Sequence, residues 1–179
     1  MIPDPNLLAT SEIWRESEAC SELWMLLRAV GDETPVVDRS PIRGLIAART
    51  KLDPLEAIER LRSELKENPE GFWVLLRVMP IDAMVPTELD GIVGAAHRLA
   101  SKIGEGESFR VTLEKRRTHL RSREVIDAVA EGIDRRVDLE GYDWNVLIEI
   151  LGKTTGISVI PRHGLLNVQK ERAGLSSKG

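Results

Sequence analysis

The sequence contains one cysteine and three histidines, too few for the common metal sites. The single thiol, Cys20, excludes an intrachain disulfide and a cysteine-rich zinc site. His97, His119 and His163 do not have the spacing of metal ligands. The sequence therefore predicts no metal site. Cys20 lies on the apolar side of a predicted helix and is expected to be a core thiol, and His97 is expected to be a structural helix residue.

Long apolar runs are also missing. No run approaches the roughly 20 residues that a membrane-spanning helix needs. The first twelve residues, MIPDPNLLATSE, lack the basic region and apolar core of a signal peptide. These absences predict a soluble cytoplasmic protein without a membrane partner.

Recognisable catalytic and cofactor motifs are absent as well. The segment GKTTG at 152–156 is not a phosphate-binding P-loop, because Leu147 stands where the first glycine is needed and the next segment reads as a strand. No pattern of nucleophile, base and cofactor loop stands out elsewhere. The sequence therefore predicts neither catalytic residues nor a cofactor.

Positive charge is concentrated in one place. The chain is acidic overall, with 29 Asp and Glu against 25 Lys and Arg. Residues 110–123, RVTLEKRRTHLRSR, nevertheless hold six basic residues and a single acid, Glu114. Such a local field attracts a polyanion even on an acidic protein. The alternative is a solvated face with glutamate counterions on neighbouring elements.

The basic residues fall between a predicted strand and a predicted helix. Lys115, Arg116 and Arg117 leave the strand, while Arg121 and Arg123 flank Ser122, the expected N-cap. Arginines beside a helix N-terminus are unfavourable unless an anion binds there. Free backbone N–H groups and guanidinium groups both match phosphate. Phosphate binding and a solvated loop both stay open on the residues alone.

The order of predicted elements indicates an α+β fold in two domains. In the first half the elements are a strand at 6–12, a helix at 16–31, one or two strands within 34–50, a helix at 53–71 and a strand at 72–85. This order fits a ferredoxin-like sandwich. In the second half they are a helix at 88–104, a strand at 107–117, a helix at 122–133 and strands at 135–140, 144–152 and 154–162. We expect a first domain at 1–85 and a second at 86–175, with a frayed polar tail from residue 170. Trp24 and Trp73 are expected in the core. Trp144 is a candidate base-stacking residue.

The second half resembles a THUMP domain. The matching segments are FRVTLEKRRTHLRSREVIDAVAEGI at 109–133 and RRVDLEGYDWNVLIEILGKTTGISVI at 135–160. In the first half RVMPID at 77–82, and near the end RHGLLNVQKER at 162–172, are similar to segments of one THUMP subfamily, the tRNA acetylation adaptors. The resemblance implies a ferredoxin-like domain followed by a THUMP domain that together hold tRNA.

In that subfamily the protein presents tRNA to a separate RNA acetyltransferase that forms acetylcytidine. The resemblance thus implies a noncatalytic adaptor, not itself an enzyme, with tRNA and an RNA acetyltransferase as partners and no DNA. Two alternatives stay open: a stand-alone RNA-modifying transferase, and a protein-interaction module with a basic loop. The residues expected to contact RNA are Arg77, Arg110, Lys115, Arg116, Arg117, His119, Arg121, Arg123, Lys153 and Arg162.

Overall fold

A computed structural model describes residues 1–176, and the chain divides into two compact units. The elements, in chain order, are β1 (Leu7–Ser11), α1 (Glu16–Ala29), β2 (Val36–Arg39), β3 (Leu45–Arg49), α2 (Pro54–Glu67), β4 (Leu75–Pro80), β5 (Ala83–Pro86), α3 (Leu89–Leu99), β6 (Ser108–Arg116), α4 (Ser122–Glu131), β7 (Arg136–Val137), β8 (Trp144–Leu151), β9 (Thr154–Pro161), β10 (Leu166–Asn167) and α5 (Val168–Ser176). The predicted α+β class is confirmed.

The first unit comprises Met1–Pro80 and the segment that begins at Gly164. Its antiparallel sheet has the order β10-β4-β1-β3-β2, and the chain order through β4 is the strand–helix–strand–strand–helix–strand pattern of a ferredoxin-like fold. The helix α2 begins as its sequence predicts, because the Asp53 carboxylate accepts the Glu56 N–H at 3.0 Å. The core side chains come from the two helices and one face of the sheet.

A buried carboxylate joins α1 to the start of β4. Glu22 is 1% exposed and accepts backbone N–H groups from Trp73, Val74 and Leu75, at 2.6 Å for the first and last of these. Hydrogen bonds to a charged acceptor are stronger than neutral ones and offset the loss of hydration. No local pattern predicts this contact, since Glu22 has the sequence context of an ordinary surface residue of a helix.

The tail from residue 170 was predicted to fray, and over 170–176 this is wrong. The segment forms α5, and Val168 at its start is buried. Arg62 Nε lies 2.6 Å from the Glu171 carboxylate, and Arg172 donates to the Pro69 carbonyl at 2.9 Å. These contacts place the segment with the first unit, whereas the predicted ranges put 164–175 in the second domain. The last three residues of the predicted tail, 177–179, lie outside the described residues.

Two further expectations about the first half are wrong. Trp24 and Trp73 are 42% and 73% exposed and are not core residues. Trp24 faces outward from α1 beside the buried Leu23, and Trp73 lies two residues before the start of β4. The single predicted strand at 72–85 is two strands, β4 and β5, which belong to different sheets.

Cys20 is half-buried, and this burial raises the pKa of its thiol.

The second unit, Ile81–His163, is built on a sheet of order β5-β9-β8-β6-β7. β6 runs parallel to both β7 and β8, whereas β8–β9 and β9–β5 are antiparallel. The core contains Ile92 and Ala96 of α3 and Val125 and Val129 of α4. His97 is structural as expected, because its Nε2 lies 3.0 Å from the Val129 carbonyl. Within residues 1–176 no helix is both long and apolar enough to cross a membrane.

Candidate nucleic-acid interface

The end of β6 and the turn between β8 and β9 lie side by side. Arg116 is opposite Leu151 in the parallel ladder, and the Gly152 N–H donates to the Arg116 carbonyl at 2.9 Å. Gly152 has a φ of 68°, which glycine adopts without strain. The exposed Lys153 follows directly. The fold therefore brings Lys153 next to the basic segment that ends β6.

Arg116 differs from its basic neighbours because it balances a buried charge. Its Nη1 lies 2.8 Å from Oε2 of Glu149, whose side chain is 0% exposed on β8. A buried carboxylate needs such a partner, since removing one member of a buried pair leaves a desolvated charge. RNA binding by Arg116 stays a prediction, and such a contact would compete with this ion pair.

Four basic side chains around this turn are exposed and have no side-chain hydrogen bond or ion pair within residues 1–176. They are Arg117, His119, Arg121 and Lys153. Arg117 has a φ of 53°, an uncommon conformation for a residue with a side chain. The loop is closed by Lys115, whose Nζ donates to the Leu120 carbonyl at 3.1 Å. We call the four residues Arg117, His119, Arg121 and Lys153 the basic turn.

The helix α4 starts at the basic turn. Ser122 was predicted to be its N-cap, but the N-cap is Arg121, and no side chain of the described residues caps the helix there. Arg123 forms an exposed pair with Asp127 at 3.4 Å, of a kind that contributes little to stability. The uncapped N–H groups and the unpaired cations create a positive field at one place. This arrangement suits an anion with several acceptor oxygens, such as phosphate.

Arg110 and Arg162 lie at the opposite end of the same sheet. The guanidinium carbons of Arg110 and Arg162 are 5.8 and 4.9 Å from the centre of the Tyr142 ring. Arg110 also donates to the Leu139 carbonyl at 3.2 Å. With about 3.3 Å per strand residue, Arg110 lies roughly 20 Å from the basic turn. We call Arg110, Tyr142 and Arg162 the tyrosine cluster.

Sequence reasoning missed Tyr142, which stands outside the basic segment. Its place depends on strand register, which no local pattern of the sequence fixes: Phe109 of β6 pairs with Trp144, and Trp144 pairs with Pro161 of β9. These pairings bring Tyr142 to the arginines that follow Phe109 and Pro161. Trp144 itself is half-buried and packs against the hydrophobic core, which does not suit a base-stacking platform.

The loop before Tyr142 is shaped by Asp138. Its carboxylate accepts N–H groups of Gly141 at 2.8 Å and Glu140 at 3.1 Å. These two hydrogen bonds, and then the charges of Arg136 and Arg162, lower the pKa of Asp138. Here β7 covers only two residues, because the predicted strand at 135–140 turns at Asp138.

The tenth predicted RNA contact, Arg77, is half-buried on β4 of the first unit, opposite Thr10 and Asn167.

The class of the second unit follows from comparison with known proteins. Residues 86–160 match the THUMP domain family. The second unit therefore contains a THUMP domain, as its sequence segments indicated. No curated protein matches the chain significantly.

Several solved structures share the fold. One is PH1313 from Pyrococcus horikoshii, with a TM-score of 0.66 and 21% identity over 88% of this chain and 54% of that one. Another is SMU.472, a proposed methyltransferase complexed with SAH, with a TM-score of 0.55 and 15% identity over 89% of this chain and 42% of that one. A third is a 4-thiouridine synthetase bound to RNA and ATP, with a TM-score of 0.52 and 16% identity over 92% of this chain and 42% of that one. The chain thus spans about half the length of these structures.

These similarities correct one expectation. The sequence was interpreted as a noncatalytic accessory protein, and this is contradicted by the structures that share its fold, which include a methyltransferase-like protein and a synthetase.

Proposed function

We propose that this chain binds tRNA as the substrate-recognition part of a tRNA-modifying enzyme. The observation that carries the proposal is the basic turn, in which Arg117, His119 and Lys153 are exposed near the end of β6 and Arg121 is the N-cap of a helix that no side chain of the described residues caps. It lies within the residues that match the THUMP domain. The RNA-bound synthetase that shares the fold also supports it.

The basic turn would bind the sugar–phosphate backbone. Lysine and arginine contacts to phosphate fix the position of an RNA but carry no base sequence information. Folded RNA is recognised mainly through its shape and its backbone. Selection of one tRNA would therefore come from contacts at several places along its fold. Lys115, Arg123, the tyrosine cluster and Arg77 are the further proposed contacts, and Arg116 would contribute only by leaving Glu149.

Three reactions are candidates for the chemical step, and each transfers a group to tRNA. The structural neighbours favour methyl transfer or thiolation. The sequence segments at 77–82 and 162–172 favour acetylation of cytidine. Each reaction leaves a different modified nucleoside in tRNA, so the products distinguish them.

The test is to delete the gene and analyse the nucleosides of total tRNA by mass spectrometry. We expect one modified nucleoside to disappear, with its identity giving the reaction. The parent protein should restore it, whereas the variant Arg117→Ser/Arg121→Ser/Lys153→Ser should restore less than a tenth. A matched control, Lys51→Ser/Lys66→Ser/Lys170→Ser, removes the same charge from exposed positions elsewhere and should restore it fully.

A direct binding assay completes the test. Purified protein is titrated with unmodified tRNA transcripts, and affinity is measured for the parent and both triple variants. The proposal fails if the parent does not bind tRNA, or if the basic-turn variant and the matched control bind equally.

A further inference from the structure

Trp14 in the first unit has an unusual backbone and an exposed ring. It lies between β1 and α1 with a φ of 75°, and its side chain is 75% exposed. A bulky residue in the left-handed region is rare, because its Cβ clashes with the backbone. Such strain persists only where the surroundings hold it, and it is concentrated at functional sites.

Two loops hold Trp14 in this conformation. The Ser11 N–H donates to the Gly44 carbonyl at 2.9 Å, and the Gly44 N–H donates to the Glu16 carboxylate at 2.7 Å. Gly44 has a φ of 72°, and a Cβ there would lie 3.0 Å from the Ser11 carbonyl oxygen. A glycine is therefore needed for the close approach of the two loops.

One face of the Trp14 ring carries an arginine. The guanidinium carbon of Arg43 lies 4.5 Å from the ring centre. This stacking fixes the plane of the indole, while the high exposure leaves ring surface open to solvent.

A cavity of about 450 Å³ lies beside the ring, within the size range of small-molecule sites. It is lined by Trp14, Glu16, Asp38, Arg39, Ser40, Pro41, Ile42 and Arg43. Both carboxylates accept backbone N–H groups, that of Glu16 from Gly44 at 2.7 Å and that of Asp38 from Arg39 at 2.8 Å. Among residues 1–176 neither guanidinium in this cavity forms a hydrogen bond or an ion pair. The hydrogen bond from Gly44 lowers the pKa of the Glu16 carboxylate, and Arg39 is near enough that its charge helps to lower it. The cavity therefore combines an aromatic face with two guanidiniums that form no direct ion pair.

We infer that Trp14 stacks on an unpaired base of a bound RNA, and that Arg39 and Arg43 hold the adjacent phosphate. The inference rests on the proposed function only in that the chain binds RNA. Aromatic side chains beside cationic ones are the usual means of binding single-stranded nucleic acid, because every base has a stacking face. A protein partner could also use an exposed tryptophan. The two unpaired guanidiniums next to the ring favour the nucleotide.

The chain offers a matched control in Trp24. It too is exposed, at 42%, and it carries Arg28 at 5.0 Å from its ring centre. Its backbone is regular helix, and the neighbouring cavity is lined by Cys20, Ser21, Met25 and Val37, without a cation. Trp24 therefore shares the exposure and the stacked arginine of Trp14, but its cavity has no counterpart of Arg39.

The experiment measures binding of a six-nucleotide oligoadenylate and of a tRNA transcript to the full chain. Trp14→Leu should weaken oligoadenylate binding about 5- to 100-fold, the range for removal of one stacking platform. Trp24→Leu should change it less than twofold. Trp14→Phe should recover most of the affinity, since it restores a stacking ring. Arg39→Ser/Arg43→Ser should reduce the slope of log affinity against log salt by about 0.7, as expected for one single-strand phosphate.

Trp14→Asn separates binding from folding. Asparagine tolerates the left-handed conformation better than tryptophan, so the urea unfolding midpoint should stay the same or rise while oligoadenylate binding is lost. Equal oligoadenylate affinities for Trp14→Leu and Trp24→Leu would overturn the inference. So would a Trp14→Leu protein that binds RNA as the parent does but loses a co-purifying protein.

The two proposals fail in different ways. If the parent binds no tRNA, the proposed function fails. If the basic-turn variant loses tRNA binding while Trp14→Leu keeps its affinity for both RNAs, only the inference about Trp14 fails.

Discussion

The two ends of the THUMP-domain sheet hold positive charge in different ways. At the basic turn, Arg117, Arg121 and Lys153 stand in solvent beside the uncapped start of α4. At the tyrosine cluster, Arg110 and Arg162 stack on an aromatic ring. The first arrangement attracts phosphate over a distance and exchanges counterions readily. The second holds its guanidiniums in a fixed orientation, which lowers the entropy lost on binding.

A similar difference between paired and exposed charge separates two adjacent residues. Arg116 and Arg117 are adjacent and chemically identical, yet one pairs with the buried Glu149 and the other is exposed at a φ of 53°. β6 ends at Arg116, and the left-handed backbone of Arg117 takes its side chain out of the alternation of the strand. A run of basic residues is therefore divided by the fold into structural and available charges.

The largest expected effect separates these two neighbours. Arg116→Ser leaves the Glu149 carboxylate buried without its cation and should lower the free energy of unfolding by about 3 kcal/mol. Arg117→Ser removes the same charge from the surface and should change it by less than about 0.5 kcal/mol. Urea unfolding of the two variants measures the difference. Adding Glu149→Gln to Arg116→Ser should recover part of the loss, and equal midpoints for the two single variants would show that the ion pair contributes nothing.

The second prediction compares how much the two ends of the sheet contribute to RNA binding. Replacing Arg117, Arg121 and Lys153 with serine should weaken tRNA binding at least tenfold and reduce the salt slope by about 2 to 3, because up to three phosphate contacts are lost. Replacing Arg110 and Arg162 should reduce that slope by less than 2. Titrations at four salt concentrations give both values. A larger slope change at the tyrosine cluster would reverse the assignment of the main phosphate contact.

The sequence predicted what depends on local periodicity and charge. The Asp53 cap, the apolar core strands β8 and β9 and the cluster of basic residues around Ser122 all follow from neighbours in the chain. The Arg116–Glu149 pair and the place of Tyr142 depend on the register of β6 against β8, which no local pattern fixes. Trp24 and Trp73 were misplaced because hydrophobicity predicts burial only on average. The tail was misjudged because its polar residues Glu171 and Arg172 bond to groups distant in sequence.

A smaller effect tests the stacking at the tyrosine cluster. Tyr142→Leu removes the ring under Arg110 and Arg162 and should weaken tRNA binding about two- to fivefold, since an exposed cation–π contact is worth about 0.5–1 kcal/mol. Tyr142→Phe keeps the ring and should bind as the parent does. The same tRNA titration measures both variants. If both variants lost the same amount of tRNA affinity, the effect would belong to the hydroxyl group and not to the ring.

The smallest effect is a pH dependence at the loop before Tyr142. The N–H groups of Gly141 and Glu140, with Arg136 and Arg162, lower the pKa of Asp138 in the folded state. A lowered folded-state pKa means that the ionised carboxylate adds stability above its ordinary pKa of about 4, and that this stability is lost as the pH falls through the folded value. Asp138→Asn keeps an acceptor oxygen for both N–H groups but removes the charge. The parent should therefore be slightly more stable than Asp138→Asn at pH 7, and the difference in urea midpoint should shrink as the pH falls below about 4. A difference that stays constant with pH would mean that the asparagine disturbs the hydrogen bonds, and that the charges of Arg136 and Arg162 do not act on this loop.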